Sequence, residues 1–181
     1  GILLILDEVQ TGIARTGTLF AYEQAGIEPD IMAIAKGLGS GVPIGAVLAR
    51  EGASAFKPGD HGGTFTGNPM VCAAATAVMR YVIDNDVPAH VRRVGAHFLA
   101  RLWEIVRDFP IAAEARGAGL LLALEFREDI AEEVTLQCLH QGLLLNKVRA
   151  NTLRFMPPLI VSDEEVDEGI SILRGVLASR T

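Results

Sequence analysis

Two residues near the start of the chain carry chemistry to which the rest answers. An apolar run, Ile2 to Leu6, delivers Asp7, and a second, Ile31 to Ala35, delivers Lys36 ahead of the glycine-rich string GLGSG. Short apolar runs of this kind read as buried strands, and parallel strands present ligands at their carboxyl ends. Asp7 and Lys36 are therefore expected to face one crevice from neighbouring strands. A carboxylate beside an amine suits a ligand that combines an aromatic nitrogen cation with a carbonyl. Pyridoxal 5'-phosphate offers both, a ring nitrogen for Asp7 and an aldehyde for Lys36. A lysine amine attacks an aldehyde only after losing its proton, and once released it can carry a proton as base and then as acid.

Two other readings fit the same pair. Asp7 and Glu8 after an apolar run also resemble the magnesium-binding strand of a P-loop ATPase. That fold needs GxxxxGK[ST], which does not occur, and Lys36 precedes its glycines instead of following them. A structural Asp–Lys ion pair at a sheet edge accounts for the two residues but not for the strings around them.

The elements that must position these groups follow in order. After the first strand, residues 12–17 read as a loop and Thr18–Ala25 as a short helix closed by Gly26, which suits a left-handed cap. Strand Ile31–Ala35 leads through GLGSG to a third strand, Ile44–Ala49, antiparallel if the turn is short. This order predicts an open α/β sheet. Residues 57–68 are glycine-rich and read as a functional loop. Asn68 then caps a helix with Pro69 at its first position, running to about Ile83. Residues 84–88 break the pattern and place a domain boundary near 86/87.

In the second half, Val91, Val94, Phe98, Leu102 and Ile105 recur at steps of three and four, predicting a helix over Ala89–Phe109 that Pro110 ends. Residues Ala115–Phe126 read as one strand, Ile130–Gln141 as a helix stopped by Gly142, and Leu143–Val148 and Thr152–Met156 as two more strands. Ser162 and Glu165 form a capping box that opens a last helix with the stripe Val166, Ile170, Leu173 and Leu177. This half reads as a small α+β domain, 87–181, after an α/β portion, 1–86.

Bulk properties narrow the function further. Sixteen Lys and Arg against 22 Asp and Glu give a net charge of −6, which offers no electrostatic reason to bind nucleic acid or an anionic membrane. No apolar run approaches the length of a membrane span, and Cys72 and Cys138 stand far apart without a CxxC or Cys/His cluster. A reduced, cytoplasmic protein with incidental thiols is the expectation. His61, His90, His97 and His140 lack metal-ligand spacing.

Three strings together carry a family resemblance: LILDEVQTGIARTG, PDIMAIAKGLGSGVPIGAV and HGGTFTGNPMVCAAA. In this order and spacing they resemble the class III pyridoxal-phosphate aminotransferases. A fourth, LRFMPPLIVSDEE, is similar to the carboxyl ends of the acetylornithine and ornithine members. The resemblance implies the later part of a type I pyridoxal-phosphate transferase large domain, followed by its carboxyl-terminal small domain. A chain that opens at Gly1 directly before a buried-type strand then reads as part of a longer protein. The family's amino-terminal phosphate-binding turn and the aromatic residue that stacks on the cofactor ring have no counterpart in it.

Site roles follow from the resemblance residue by residue. Lys36 corresponds to the lysine that holds the cofactor aldehyde, Asp7 to the ring-nitrogen carboxylate and Gln10 to a contact with the ring hydroxyl oxygen. Thr64 corresponds to a phosphate contact reaching across a homodimer interface, with Thr66 as the competing hydroxyl. Arg154 corresponds to the clamp on the substrate α-carboxylate, for which a guanidinium fork is suited. Glu8 and Arg15 are expected to fix the loop instead of touching substrate. The implied reaction moves an amino group from an N-acetylornithine-like donor to 2-oxoglutarate. Ornithine and 4-aminobutyrate enzymes share these residues, an aminomutase of the same fold keeps the lysine and aspartate, and a truncated inactive copy is the non-enzymatic alternative. Gly63 stands where ornithine enzymes usually carry serine.

Overall fold

A computed structural model describes residues 1–180. The chain divides into two compact units, Gly1–Pro88 and the part from Ala89 onward.

In the first unit, strands β1 (Ile5–Asp7), β2 (Ile31–Ile34) and β3 (Ala46–Ala49) form one sheet in that order. β1 and β2 are parallel with Asp7 opposite Ala33, and β3 runs antiparallel to β2. The first strand is shorter than the apolar run Ile2–Leu6, for a local reason. Leu4 leaves the ladder to bond Asp30: its carbonyl accepts from the Asp30 and Ile31 amides, and its amide donates to Asp30 Oδ2 at 2.8 Å. The second strand stops at Ile34 because the Ala35 carbonyl turns to accept from Leu38, opening a single 3-10 turn over Lys36–Leu38.

Helix α1 spans only Tyr22–Ala25, capped as expected by left-handed Gly26. The preceding residues, expected to be helical, are held in bends instead. Gln24 Nε2 donates to the Thr16 carbonyl and to the Thr18 hydroxyl, at 2.9 and 3.0 Å, and Glu23 Oε1 accepts from the Phe20 amide. Helix α2 (Pro69–Asp84) begins as the sequence predicts, with Asn68 Oδ1 accepting from the Met70 and Val71 amides. Both outer strands of the sheet carry exposed apolar side chains, Ile5 at 63% and Val47 at 69%.

Helix α3 (Val87–Asp108) starts two residues before its expected point. Pro88 lies in its first turn, where a missing N–H removes no helical bond, so the break between α2 and α3 shrinks to Asn85 and Asp86. From Ala89 onward the second unit is a four-stranded antiparallel sheet in the order β4-β5-β7-β6, with α3, α4 (Ala131–His140) and α5 (Asp163–Ala178).

The single strand expected over Ala115–Phe126 is a hairpin. β4 (Ala112–Ala118) and β5 (Leu121–Phe126) pair across the two-residue turn Gly119–Leu120, with Gly119 at φ 54°. A positive φ in a two-residue turn matches the twist of the flanking strands. Gly95 of α3 sits on this turn so closely that a Cβ there would lie 2.3 Å from the Gly119 carbonyl oxygen. The next expected strand, Leu143–Val148, forms only as β6 (Asn146–Arg149), paired with β7 (Thr152–Phe155).

Along β5, Leu122, Leu124 and Phe126 are buried while their alternate neighbours are half-exposed, the pattern of a sheet packed on one face. Val91, Val94, Leu102 and Ile105 of α3 are fully buried, as are Leu173 and Val176 of α5. Phe98 meets Phe155 edge-on with ring centroids 5.3 Å apart. The capping box of α5 is complete, Ser162 and Glu165 each accepting from the other's amide. Cys138 of α4 lies wholly inside, and burial pushes its thiol up to about 11, whereas Cys72 on α2 is exposed.

Candidate active site

Asp7 and Lys36 fall at the same end of the first sheet, one at the terminus of β1 and one just past the terminus of its parallel neighbour β2. Asp7 is exposed, and its Oδ1 accepts from the Val9 amide at 2.9 Å. This bond fixes the carboxylate at the strand end and leaves its other oxygen to meet a ligand. Lys36 is also exposed and takes φ 43° at the start of the 3-10 turn. A left-handed conformation is costly for a residue with a side chain and persists only where its surroundings enforce it.

Those surroundings are visible in the backbone. A Cβ at Gly39 would lie 2.4 Å from the Val42 carbonyl oxygen, and Leu38 is buried, so the turn is clamped from its far side. On its near side Ile13, itself at φ 55°, packs against Gly37. The loop after β1 and the turn after β2 thus touch, bringing the segment that carries Asp7 and Gln10 against the segment that carries Lys36.

Glu8 builds that loop. It is 3% exposed, its Oε1 accepts from the Tyr22 amide at 2.9 Å, and its Oε2 accepts from the Thr11 hydroxyl. Its carbonyl also takes the Gly12 amide. A buried carboxylate whose two oxygens are spent on the loop and on the start of α1 is a positioning element, as expected for Glu8. Gln10 is half-buried in the same loop. Arg15 lies nearby in the chain, its guanidinium pKa lowered by burial.

Thr64 lies in an exposed turn before α2. Its competitor Thr66 is occupied: the Thr66 hydroxyl donates to the Gly63 carbonyl at 2.7 Å. A hydroxyl has one proton to give, so Thr64 is the better placed of the two to donate to an anion. Gly63 lies close under the same side chain: a Cβ there would lie 2.9 Å from Thr66 Cγ2, so a larger residue would make the Thr66 side chain shift.

Arg154 belongs to the second unit. It sits half-exposed on β7, opposite Ala123 of β5 and Asn146 of β6, and its Nη2 donates to Asn146 Oδ1 at 2.7 Å. It lines a cavity of about 450 Å3 together with Asn146, Phe155 and Glu165. The sequence reading missed Asn146 and the Ile13–Gly37 contact. The first was detectable only as a residue opposite Arg154 across two short strands, which requires the register.

The donor set fits pyridoxal phosphate. A strand-end carboxylate suits a pyridinium, an exposed lysine suits an aldehyde, and a glycine-rich turn bearing a hydroxyl donor suits a phosphate. Among the described residues no group of three His, Cys, Asp or Glu side chains is placed to hold a metal.

Comparison with known proteins gives the same direction. The profile of a family described as "Aminotransferase class-III" matches residues 1–177. The acetylornithine aminotransferase of Caldanaerobacter subterraneus is 49% identical over 177 residues, 98% of this chain and 45% of that protein. Among solved structures, the acetylornithine aminotransferase from Elizabethkingia anophelis superposes with a TM-score of 0.91 at 33% identity, over 98% of this chain and 46% of the other. An ornithine aminotransferase from Toxoplasma gondii, described with partial occupancy of PLP at its active site, gives 0.91 at 36%, over 98% and 43%. The chain thus spans less than half the length of the relatives it matches.

Proposed function

The chain belongs to the class III aminotransferases, and on that premise we propose that it carries the lysine–aspartate half of a pyridoxal-phosphate site together with a substrate-carboxylate arginine. The observation that carries this reading is the arrival of Asp7 and Lys36 at one end of a sheet, from adjacent parallel strands. When bound, the cofactor supplies an electron sink that lets an amino group leave one carbon skeleton and join another. Lys36 would hold the cofactor aldehyde, and its Nζ, when free, would serve as the base and acid that moves a proton. Asp7 would keep the ring nitrogen protonated, Gln10 would meet the ring hydroxyl oxygen, and Thr64 would donate to the phosphate from a partner subunit of a homodimer. Arg154 grips the substrate α-carboxylate.

The donor we infer is N-acetylornithine or a similar ω-amino compound, with 2-oxoglutarate as acceptor, as the names of the relatives suggest. Gly63 stands where ornithine enzymes usually carry serine, which favours this donor over ornithine. The reaction would be one step of arginine biosynthesis in the cytoplasm, and no helix among the described residues is long and apolar enough to cross a membrane. We further infer that the relatives' remaining length supplies the rest of the phosphate grip and one face of the cofactor cradle. The direct test is borohydride reduction of the cofactor-loaded protein followed by peptide mapping. Label on Lys36 is expected, and label on another lysine would overturn the assignment.

A further inference from the structure

We infer that Asn146 is a positioning residue for Arg154 and sets how strongly that guanidinium binds a substrate carboxylate; this rests on the carboxylate role proposed for Arg154.

The two residues are register partners on β6 and β7, and Arg154 Nη2 donates to Asn146 Oδ1 at 2.7 Å. Arginine has only donors to offer, so the amide must present its oxygen, which fixes which way Asn146 faces. After one further regular pair, Lys147 with Leu153, the register slips between Lys147 and Arg149. A bulge of this kind bends a strand and re-aims its side chains. Asn146 is the first residue of β6, one pair ahead of Lys147–Leu153 and of the bend that follows, and it meets the guanidinium there.

The chemistry of the partner matters as much as its place. The Asn146–Arg154 bond is exposed, and an exposed hydrogen bond contributes little to folding because water replaces it readily. Its value lies in orientation. An amide oxygen anchors one edge of the guanidinium plane without adding negative charge, so the fork meets a carboxylate already turned. Glu165, a carboxylate that lines the same cavity as Arg154, accepts from the Ser162 amide through its Oε2 at 2.8 Å. Both Asn146 and Arg154 line the same cavity of about 450 Å3.

The test compares Asn146→Ala, Asn146→Asp and Arg154→Ala in the cofactor-loaded protein. Affinity for glutarate, an unreactive dicarboxylate, is measured by calorimetry, alongside KM and kcat for the oxo acid and the thermal midpoint. Asn146→Ala is expected to weaken glutarate and raise KM about tenfold, with kcat changing less. Asn146→Asp, which sets a carboxylate against the guanidinium in competition with the ligand, is expected to weaken binding further than alanine does. Both should leave the midpoint within a degree or two, roughly what an exposed surface change produces. Equal affinities in all Asn146 variants, beside a large loss in Arg154→Ala, would overturn the positioning role while sparing the carboxylate role of Arg154. Unchanged glutarate affinity in Arg154→Ala would overturn both. A fall in midpoint large enough to account for the lost affinity would assign Asn146 to the fold instead.

Discussion

Ile13 lays its side chain against the backbone of Gly37, so that a Cβ at position 37 would lie 3.3 Å from the Ile13 Cβ. Both Ile13 and Lys36, the residue before Gly37, occupy left-handed backbone conformations. The contact therefore joins two strained segments, and each helps hold the other in place. Gly37→Ala would push its methyl against Ile13 and is expected to cost about 1 kcal/mol of stability and to weaken cofactor uptake. In Gly37→Ala/Ile13→Gly the contact is gone, and the paired loss should be smaller than the sum of the single losses. Strict additivity in urea denaturation would show that the two segments do not support each other.

Lys36→Ala should abolish turnover and the visible absorption of lysine-bound cofactor. Some cofactor should still be retained through the remaining contacts, measured as fluorescence after gel filtration and acid release. Persistence of the native absorption band in the variant would remove Lys36 from its role.

Thr64 is proposed to act across a homodimer interface. A mixed dimer of Lys36→Ala and Thr64→Ala subunits would contain one site with both defects and one with neither. Mixing the two weak variants should restore part of the activity once subunit exchange is demonstrated by tag capture. Mixtures that never exceed their parents would place Thr64 in its own subunit's site or outside any site.

Gly95→Ala should be among the most damaging single changes in the second unit. The new methyl would collide with the Gly119 carbonyl, which is backbone in a two-residue turn and has little room to move. The expected loss is about 3 kcal/mol, read as a shift in the urea midpoint. A loss below about 1 kcal/mol would mean that the turn yields more easily than two-residue turns do.

Asp108 makes stability depend on acid. Hydrogen bonds from Arg107, at 2.8 Å, and Arg174, at 2.7 Å, lower its carboxyl from 3.8 to about 2. A carboxyl with a lowered folded value contributes stability that is complete above its ordinary value and is lost as pH falls through the folded one. The gap in urea midpoint between the native protein and Asp108→Asn should therefore be constant above about pH 4 and close between pH 4 and 2. A gap that survives unchanged at pH 2 would show that the ion pairs do not set it.

Much of this organisation is legible in the sequence where a residue type has one efficient use. Asn68 before Pro69 and the Ser162/Glu165 box announce helix starts because both satisfy amides that a helix cannot satisfy itself. Asp7 and Lys36 could be assigned to strand ends because each terminates an apolar run. What escaped depends on partners distant in sequence. The β4–β5 hairpin read as one strand because its turn is only Gly119–Leu120, too short to separate the two strands by a stretch of turn residues. β1 lost its first residues to Asp30, whose side chain competes for Leu4. The Thr66 hydroxyl's bond to the Gly63 carbonyl is visible only in the folded turn, and Asn146 has no distinguishing context until β6 is paired with β7.

The two thiols described in the fold amount to a built-in clock. Cys72 is open to solvent on α2, whereas Cys138 is sealed within the second unit and held in its protonated, unreactive form by burial. A thiol reagent should therefore mark Cys72 within the mixing time. It can reach Cys138 only when the body that encloses it comes apart, so the slow phase of labelling times that opening. One chemical trace would report how often the second unit breathes, with the fast phase serving as its own internal standard.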